Sequence, residues 1–129
     1  LKKFPNVKLM TVPGDGEIPG ADTTYDMIYC ISVFHHVPKS VFFNYVKKLR
    51  RLIKPGGHLF FQLTRPYSFG RKVRAFFQVH PPDSEAWKSR YYTEGAVRRL
   101  AEANGYEWGP VVRDARNWFF MWRKPPRSR

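Results

Sequence analysis

Tyr25-Asp26-Met27-Ile28-Tyr29-Cys30-Ile31-Ser32-Val33 is nearly continuously apolar, and the fold class turns on how this run continues into residues 34–64. Such a run predicts a strand over 25–33, buried on both faces of a sheet. From Pro38 the pattern changes. Phe42, Tyr45, Val46, Leu49, Leu52 and Ile53 recur at three and four, with Lys47, Lys48, Arg50 and Arg51 between them. That spacing predicts an amphipathic helix over 38–53, with Pro38 at its first position and cations at the negative end of its dipole. Lys54-Pro55-Gly56-Gly57 reads as the turn that stops the helix, and His58-Leu59-Phe60-Phe61-Gln62-Leu63-Thr64 as the next strand. Strand, helix, strand is the signature of a parallel pair with a crossover helix, so 25–33 and 58–64 are expected to pair in parallel.

Working outward, Val7–Val12 reads as a short strand stopped by Pro13-Gly14-Asp15-Gly16, with a loop of turn formers over 19–24. Residues 65–92 read as irregular, with a short helix around Arg71–Val79. Thr93 is placed to cap a helix carrying Glu94 in its first turn and the stripe Val97, Leu100 and Ala101. Gly105 is placed to end that helix in the left-handed conformation. Val111–Arg113 and Trp118–Arg123 read as a closing strand pair around Asp114–Asn117, and 125–129 as a basic tail. The fold class this order defines is α/β, a mostly parallel sheet covered by helices.

Composition narrows the function classes. The chain has 129 residues, 43% of them hydrophobic, with 11 Phe, 7 Tyr and 4 Trp, which is ample for one core. The longest uncharged run, Met27–Pro38, falls short of the roughly 20 residues of a membrane helix. A single cysteine, Cys30, excludes an internal disulfide framework and a multi-cysteine zinc site, and reads as a small inert hydrophobe. With no signal peptide legible at the start, the expectation is a soluble, cytoplasmic protein.

Charge is uneven. The net is +13, and residues 39–82 carry ten bases and no acid, against three bases and four acids in residues 1–38. Such a field attracts anionic partners, nucleic acid among them. The plainer reading is that solvated helix and loop faces simply use Lys and Arg.

Several segments in order carry a resemblance. Tyr-Asp-Met-Ile-Tyr at 25–29, Ser-Val-Phe-His-His-Val at 32–37, Leu-Arg-Arg-Leu-Ile-Lys-Pro-Gly-Gly at 49–57, Tyr-Tyr-Thr-Glu-Gly at 91–95 and Ala-Asn-Gly-Tyr at 103–106 together resemble the class I S-adenosylmethionine-dependent methyltransferases, in particular the small-molecule type. The resemblance covers roughly residues 6–124 and implies a Rossmann-like sheet with an antiparallel last strand, 118–123 lying beside 58–64. It implies S-adenosylmethionine as cofactor and a small-molecule methyl acceptor. The family's glycine-rich turn after its first strand, and the acid that holds the ribose, have no counterpart here. The chain is therefore expected to be a partial methyltransferase domain, 1–124, that opens at the family's third strand. Either a missing N-terminal half or self-association would then complete it. A basic nucleic-acid-binding module, or a catalytically dead remnant, is the alternative.

The resemblance also assigns candidate residues. Asp15 matches the position that accepts a hydrogen bond from the adenine amino group, and Gly16 the one that packs on the ring; a tight turn would use the same two residues. Ile31 and Ser32 match positions lining the methionine part of the cofactor, at the carboxyl end of the central strand where open sheets bind ligands. His35 and His36 are the candidate catalytic residues, since histidine can take a proton from a nucleophile near neutral pH. A structural place for one of them under the next helix is the alternative, for His36 more than for His35. Adjacent side chains on a strand face opposite ways, so a shared metal is not expected. Methyl transfer from a sulfonium is an in-line displacement, for which alignment alone can suffice. The aromatics Tyr67, Phe69, Phe76, Phe77, Trp87, Tyr91 and Tyr92 would suit the cap of an apolar or planar acceptor's pocket, or simply pack beneath a long loop. Finally, Val7–Val12 lacks the neighbour the family gives it. It is expected to shift inward onto 25–33, to leave a gap for another chain, or to be mobile with the first 20 residues.

Overall fold

The computed structural model describes residues 5–7, 9–11, 17–64 and 92–128. The elements run β1 (Tyr25–Cys30), α1 (Lys39–Leu52), β2 (Ile53–Thr64), α2 (Glu94–Ala103), β3 (Val111–Arg113) and β4 (Asn117–Arg123), with a 3-10 turn over Phe34–His36. The sheet order is β1-β2-β4-β3. β1 pairs with β2 in parallel, and β4 lies antiparallel to both β2 and β3. Three strands thus point one way and β4 the other. The α/β class, the parallel pair and the antiparallel last strand are as the sequence predicts.

One face of the sheet carries the core. Leu59, Phe61 and Leu63 on β2 stand beside Trp122, Phe120 and Trp118 on β4, and all six are buried. Onto them α1 sets Phe42, Val46, Leu49 and Leu52, spaced at four and three as a single helical stripe. Val97 and Ala101 do the same from α2. Phe61 meets the edge of Trp122 at 4.7 Å, and Tyr106 lies 5.3 Å from the same indole. The Tyr106 hydroxyl donates to the Val46 carbonyl at 3.1 Å, tying the end of α2 to the middle of α1. The expected caps are present. Thr93 Oγ1 accepts from the Ala96 amide at 3.1 Å. Tyr106 N donates to Ala101 O and Gly105 N to Glu102 O, with Gly105 at φ +68°, which is a Schellman ending.

Four expectations are corrected. No strand forms in Val7 or Leu9–Thr11, the described part of 7–12; Val7, Leu9 and Met10 are exposed. The physical reason is that a strand forms against a partner, and β1 offers its edge to no described strand. The first strand also ends at Cys30 rather than Val33, because Ser32 turns the chain at φ +56°. It is not buried on both faces: Met27 is 47% and Tyr29 72% exposed. Strand parity places these two with His58 and Phe60, on the face that α1 and α2 leave open. Lastly, Lys54-Pro55-Gly56-Gly57 is not a free turn. α1 passes directly into β2 at Ile53, and the four residues form an irregular bulge, since Tyr25 pairs with Ile53 while Met27 pairs with His58. Gly56 sits there at φ +83° and donates to Lys124 O at 2.8 Å.

The acids of the first third have a structural use. Glu17 pairs with Lys48, Asp22 with Arg51 and Asp26 with Lys54, stitching residues 17–26 along the end of α1. Thr23 N and Thr24 N donate to Arg51 O and Leu52 O at 3.0 and 2.9 Å, satisfying carbonyls that the helix end leaves without partners. The helix 71–79 and the aromatics from Tyr67 to Tyr91 lie outside the described residues. Tyr92, the first residue after them, is buried edge-on against Phe42 at 5.2 Å.

Candidate functional site at the carboxyl end of the sheet

The segment after β1 is held by two anchors. Phe34 is fully buried, 4.5 Å from Phe42 and 5.8 Å from Phe61. Two residues earlier, Ser32 N donates to Gln62 Oε1 at 3.0 Å, with the Ser32 hydroxyl at 3.4 Å from the same oxygen. Between and beside these anchors, Ile31 and Val33 are each 43% exposed. A non-glycine residue at positive φ is costly unless its surroundings hold it. Here the Gln62 carboxamide does so.

Gln62 is itself only 8% exposed, a polar residue among the apolar ones of β2. Its Nε2 donates to Asn117 Oδ1 at 2.8 Å. Asn117 in turn donates through its backbone N to Asp114 Oδ1 at 2.6 Å, and Arg116 N donates to the same oxygen at 2.7 Å. These donors hold the Asp114 carboxyl below its usual range. A continuous polar chain therefore runs Ser32–Gln62–Asn117–Asp114, from the end of β1 across β2 to the start of β4. Periodicity and motif point to none of Gln62, Asn117 and Asp114. The available signal is one amide inside an apolar strand and an Asp-x-x-Asn turn opposite it.

Replacing Gln62 by Leu is expected to leave the fold intact and free the Ser32 turn. Stability should drop by about 2 kcal/mol, since the bonds to Ser32 N and Asn117 are both lost at about 1 kcal/mol each. The Ser32 amide should exchange with solvent markedly faster. An unchanged Ser32 exchange rate in Q62L would show that Gln62 does not hold the turn.

The two histidines occupy the 3-10 turn, not a strand, which corrects the picture of side chains on opposite faces. Their rings lie 3.9 Å apart, His35 half-buried and His36 exposed. His36 N donates to Val33 O at 3.0 Å, closing the turn. Ile31, Ser32, Val33 and His36 are all exposed, and the segment they belong to forms the rim at the carboxyl end of β1. Asp15 and Gly16 lie outside the described residues. Cys30, just below the rim, is half-buried within β1, and burial pushes its thiol up to about 11.

The rim lies at the carboxyl end of a parallel strand, in a sheet whose β4 alone runs backward, the place where open α/β sheets in general bind ligands. The chain belongs to the methyltransferase domain family: its family model matches residues 5–108, well over half of the chain. No curated protein matches it. Among solved structures it is similar to a SAM-dependent methyltransferase from Aquifex aeolicus, at 21% identity and a TM-score of 0.67, over 95% of this chain and 57% of that one. It is also similar to a SAM-dependent methyltransferase from Methanosarcina mazei, at 13% identity and 0.71, over 91% and 67%. A third is the 1,6-didemethyltoxoflavin-N1-methyltransferase of Burkholderia thailandensis, with bound 1,6-didemethyltoxoflavin and S-adenosylhomocysteine, at 15% and 0.60, over 85% and 48%. At these identities the likeness is one of fold. The chain spans only part of the length of these three structures, 57%, 67% and 48% in the order given.

Proposed function

We propose that residues 1–124 form part of an S-adenosylmethionine-dependent methyltransferase domain acting on a small-molecule acceptor in the cytoplasm, with 125–129 as a basic tail. The observation that carries the reading is the rim itself: apolar Ile31 and Val33 flank the Ser32 turn at the carboxyl end of β1, in a chain of the methyltransferase domain family. In this reading Ile31 and Ser32 contact the methionine part of the cofactor, and Asp15 and Gly16 its adenine. The cofactor supplies an electrophilic methyl group when bound. The chain's own part is to align the acceptor, with His36, the more exposed of the pair, placed to receive a proton from it and His35 beside it.

Completion of the domain belongs to the same proposal. Met27, Tyr29, Phe60, Phe119, Met121 and Val112 share the sheet face opposite α1 and α2, with Phe60 stacked on Phe119 at 6.1 Å. Beside them the second edge of β1 has no described partner. An apolar face and a free apolar edge together support docking of a further methyltransferase segment, which would bring the glycine-rich turn, or of a second copy. The likeness to SAM-dependent methyltransferases supports the choice of cofactor.

The test is titration of the isotope-labelled chain with S-adenosylhomocysteine. Amide shifts at Ile31 and Ser32, with weak affinity in the isolated chain, are expected. Shifts confined to other residues would refute the assignment. Micromolar affinity for the chain alone would refute the need for a completing segment.

A further inference from the structure

The opposite end of the sheet holds a concavity, of about 490 Å³, that the proposed methyl transfer does not use. Its walls are the last turns of α1, the end of α2, the segment before β1 and the residue after β4. Lys47, Arg50, Arg51 and Lys124 supply four cations to it, against the single carboxylate of Asp22, and Thr23 lines it as well. Asp22 is engaged by Arg51, so one cation and the one acid cancel. Among the described residues no acid pairs with Lys47, Arg50 or Lys124.

A helix carboxyl end gathers cations for its own sake. Lys124 serves that purpose in full: its Nζ donates to Arg50 O at 2.9 Å and to Ile53 O at 2.7 Å. Thr23 and Thr24 amides take the next carbonyls. The helix end is therefore satisfied without Lys47 or Arg50. Arg50 instead reaches Gly105 O at 3.4 Å, and its Nε is buried with no partner. The cations are also close enough to disfavour one another. Burial first, and then the charges of Arg50 and Arg127, hold the Lys124 ammonium below its usual range. Positive charge crowded around an open concavity is relieved by an anion that accepts several hydrogen bonds at once.

We propose that this concavity binds a phosphate group, with Lys47 and Arg50 as its principal donors. Phosphate fits on chemistry: it offers several acceptor oxygens, and a guanidinium fork can bind two of them. The site lies at the far end of α1 from the rim at Ile31–His36, about 20 Å away by the rise of a 14-residue helix. It is thus independent of the methyl-transfer reading. Two sources share the chemistry, a free phosphorylated small molecule and the phosphodiester backbone of nucleic acid.

The full chain is titrated with inorganic pyrophosphate at fixed ionic strength and, separately, with a uridine 20-mer over a series of salt concentrations. The variants are Lys47→Gln and, as a control, Arg116→Gln, whose exposed side chain lies beyond the opposite end of β4. Lys47 is exposed and holds no described element, so K47Q should fold as the parent does. Binding of pyrophosphate that K47Q weakens about fivefold and R116Q leaves unchanged supports the site with a small-molecule source. Binding of the 20-mer, displaced by pyrophosphate and with its salt slope reduced by about 1 in K47Q alone, supports it with a nucleic-acid source. Absence of both interactions would overturn the proposal. So would equal weakening by K47Q and R116Q, which marks only the general field of a +13 chain.

Discussion

Trp122→Ala is expected to remove a large share of the folding free energy of this domain. The indole is fully buried between α1, α2 and the sheet, touching Phe61 at 4.7 Å, Tyr106 at 5.3 Å and Trp108 at 6.4 Å by ring centroids. Truncating a buried aromatic to Ala costs about 3–5 kcal/mol, a transfer term plus a cavity the surroundings fill only in part. Domains of this size have about 5–15 kcal/mol in total. Trp122→Phe is the informative companion. The indole Nε1 is buried without a partner, so Phe restores most of the contact area and removes an unsatisfied donor. Urea unfolding followed by circular dichroism should place W122F much closer to the parent than W122A. A W122A variant within about 1 kcal/mol of the parent would mean that the core does not centre on this residue.

The same core explains which parts of the fold are legible in the residues. Periodicity reports burial, and where burial is one-sided the pattern is unambiguous. Phe42, Val46, Leu49 and Leu52 can only be a helix stripe, and Trp118, Phe120 and Trp122 only one face of a strand. Met27 and Tyr29 mislead because their apolar character says that something should cover them, not that anything among the described residues does. Val7 and Leu9–Thr11, the described part of 7–12, mislead for the related reason that β propensity is a preference for a half-buried pleated surface, and they pair with no described strand. At the site, Ile31, Ser32, His35 and His36 stand out by their place after an apolar strand. Gln62 and Asp114 do not, because their roles depend on pairing β2 with β4, a contact 55 residues apart in the chain between Gln62 and Asn117. Long-range polar chains leave no local period to read.

The glycine pair at 56–57 separates two explanations that the sequence alone runs together. A Pro-Gly-Gly stretch after a helix suggests glycine chosen for backbone freedom, and Gly56 at φ +83° fits that account. A Cβ on Gly56 would meet nothing nearer than Arg123 Nη2 at 4.0 Å, so Gly56→Ala should cost only the left-handed strain, about 1–2 kcal/mol. Gly57 is different. A Cβ there would stand 2.6 Å from Asp26 O, 2.7 Å from Ile53 Cγ2 and 2.9 Å from Lys54 O. Two of those three atoms are backbone carbonyl oxygens, which cannot rotate away as a side chain would. Relief requires β1 to move off β2 where Tyr25 pairs with Ile53, at the root of the parallel pair. Gly57→Ala should therefore cost about 3 kcal/mol or more, the upper range of overpacking, although the added group is a single methyl. Hydrogen exchange should rise over Tyr25–Ile28 in that variant and stay near the parent's rates in G56A. If G56A proved the more damaging of the two, backbone freedom rather than the close approach of β1 to β2 would be what this glycine pair supplies.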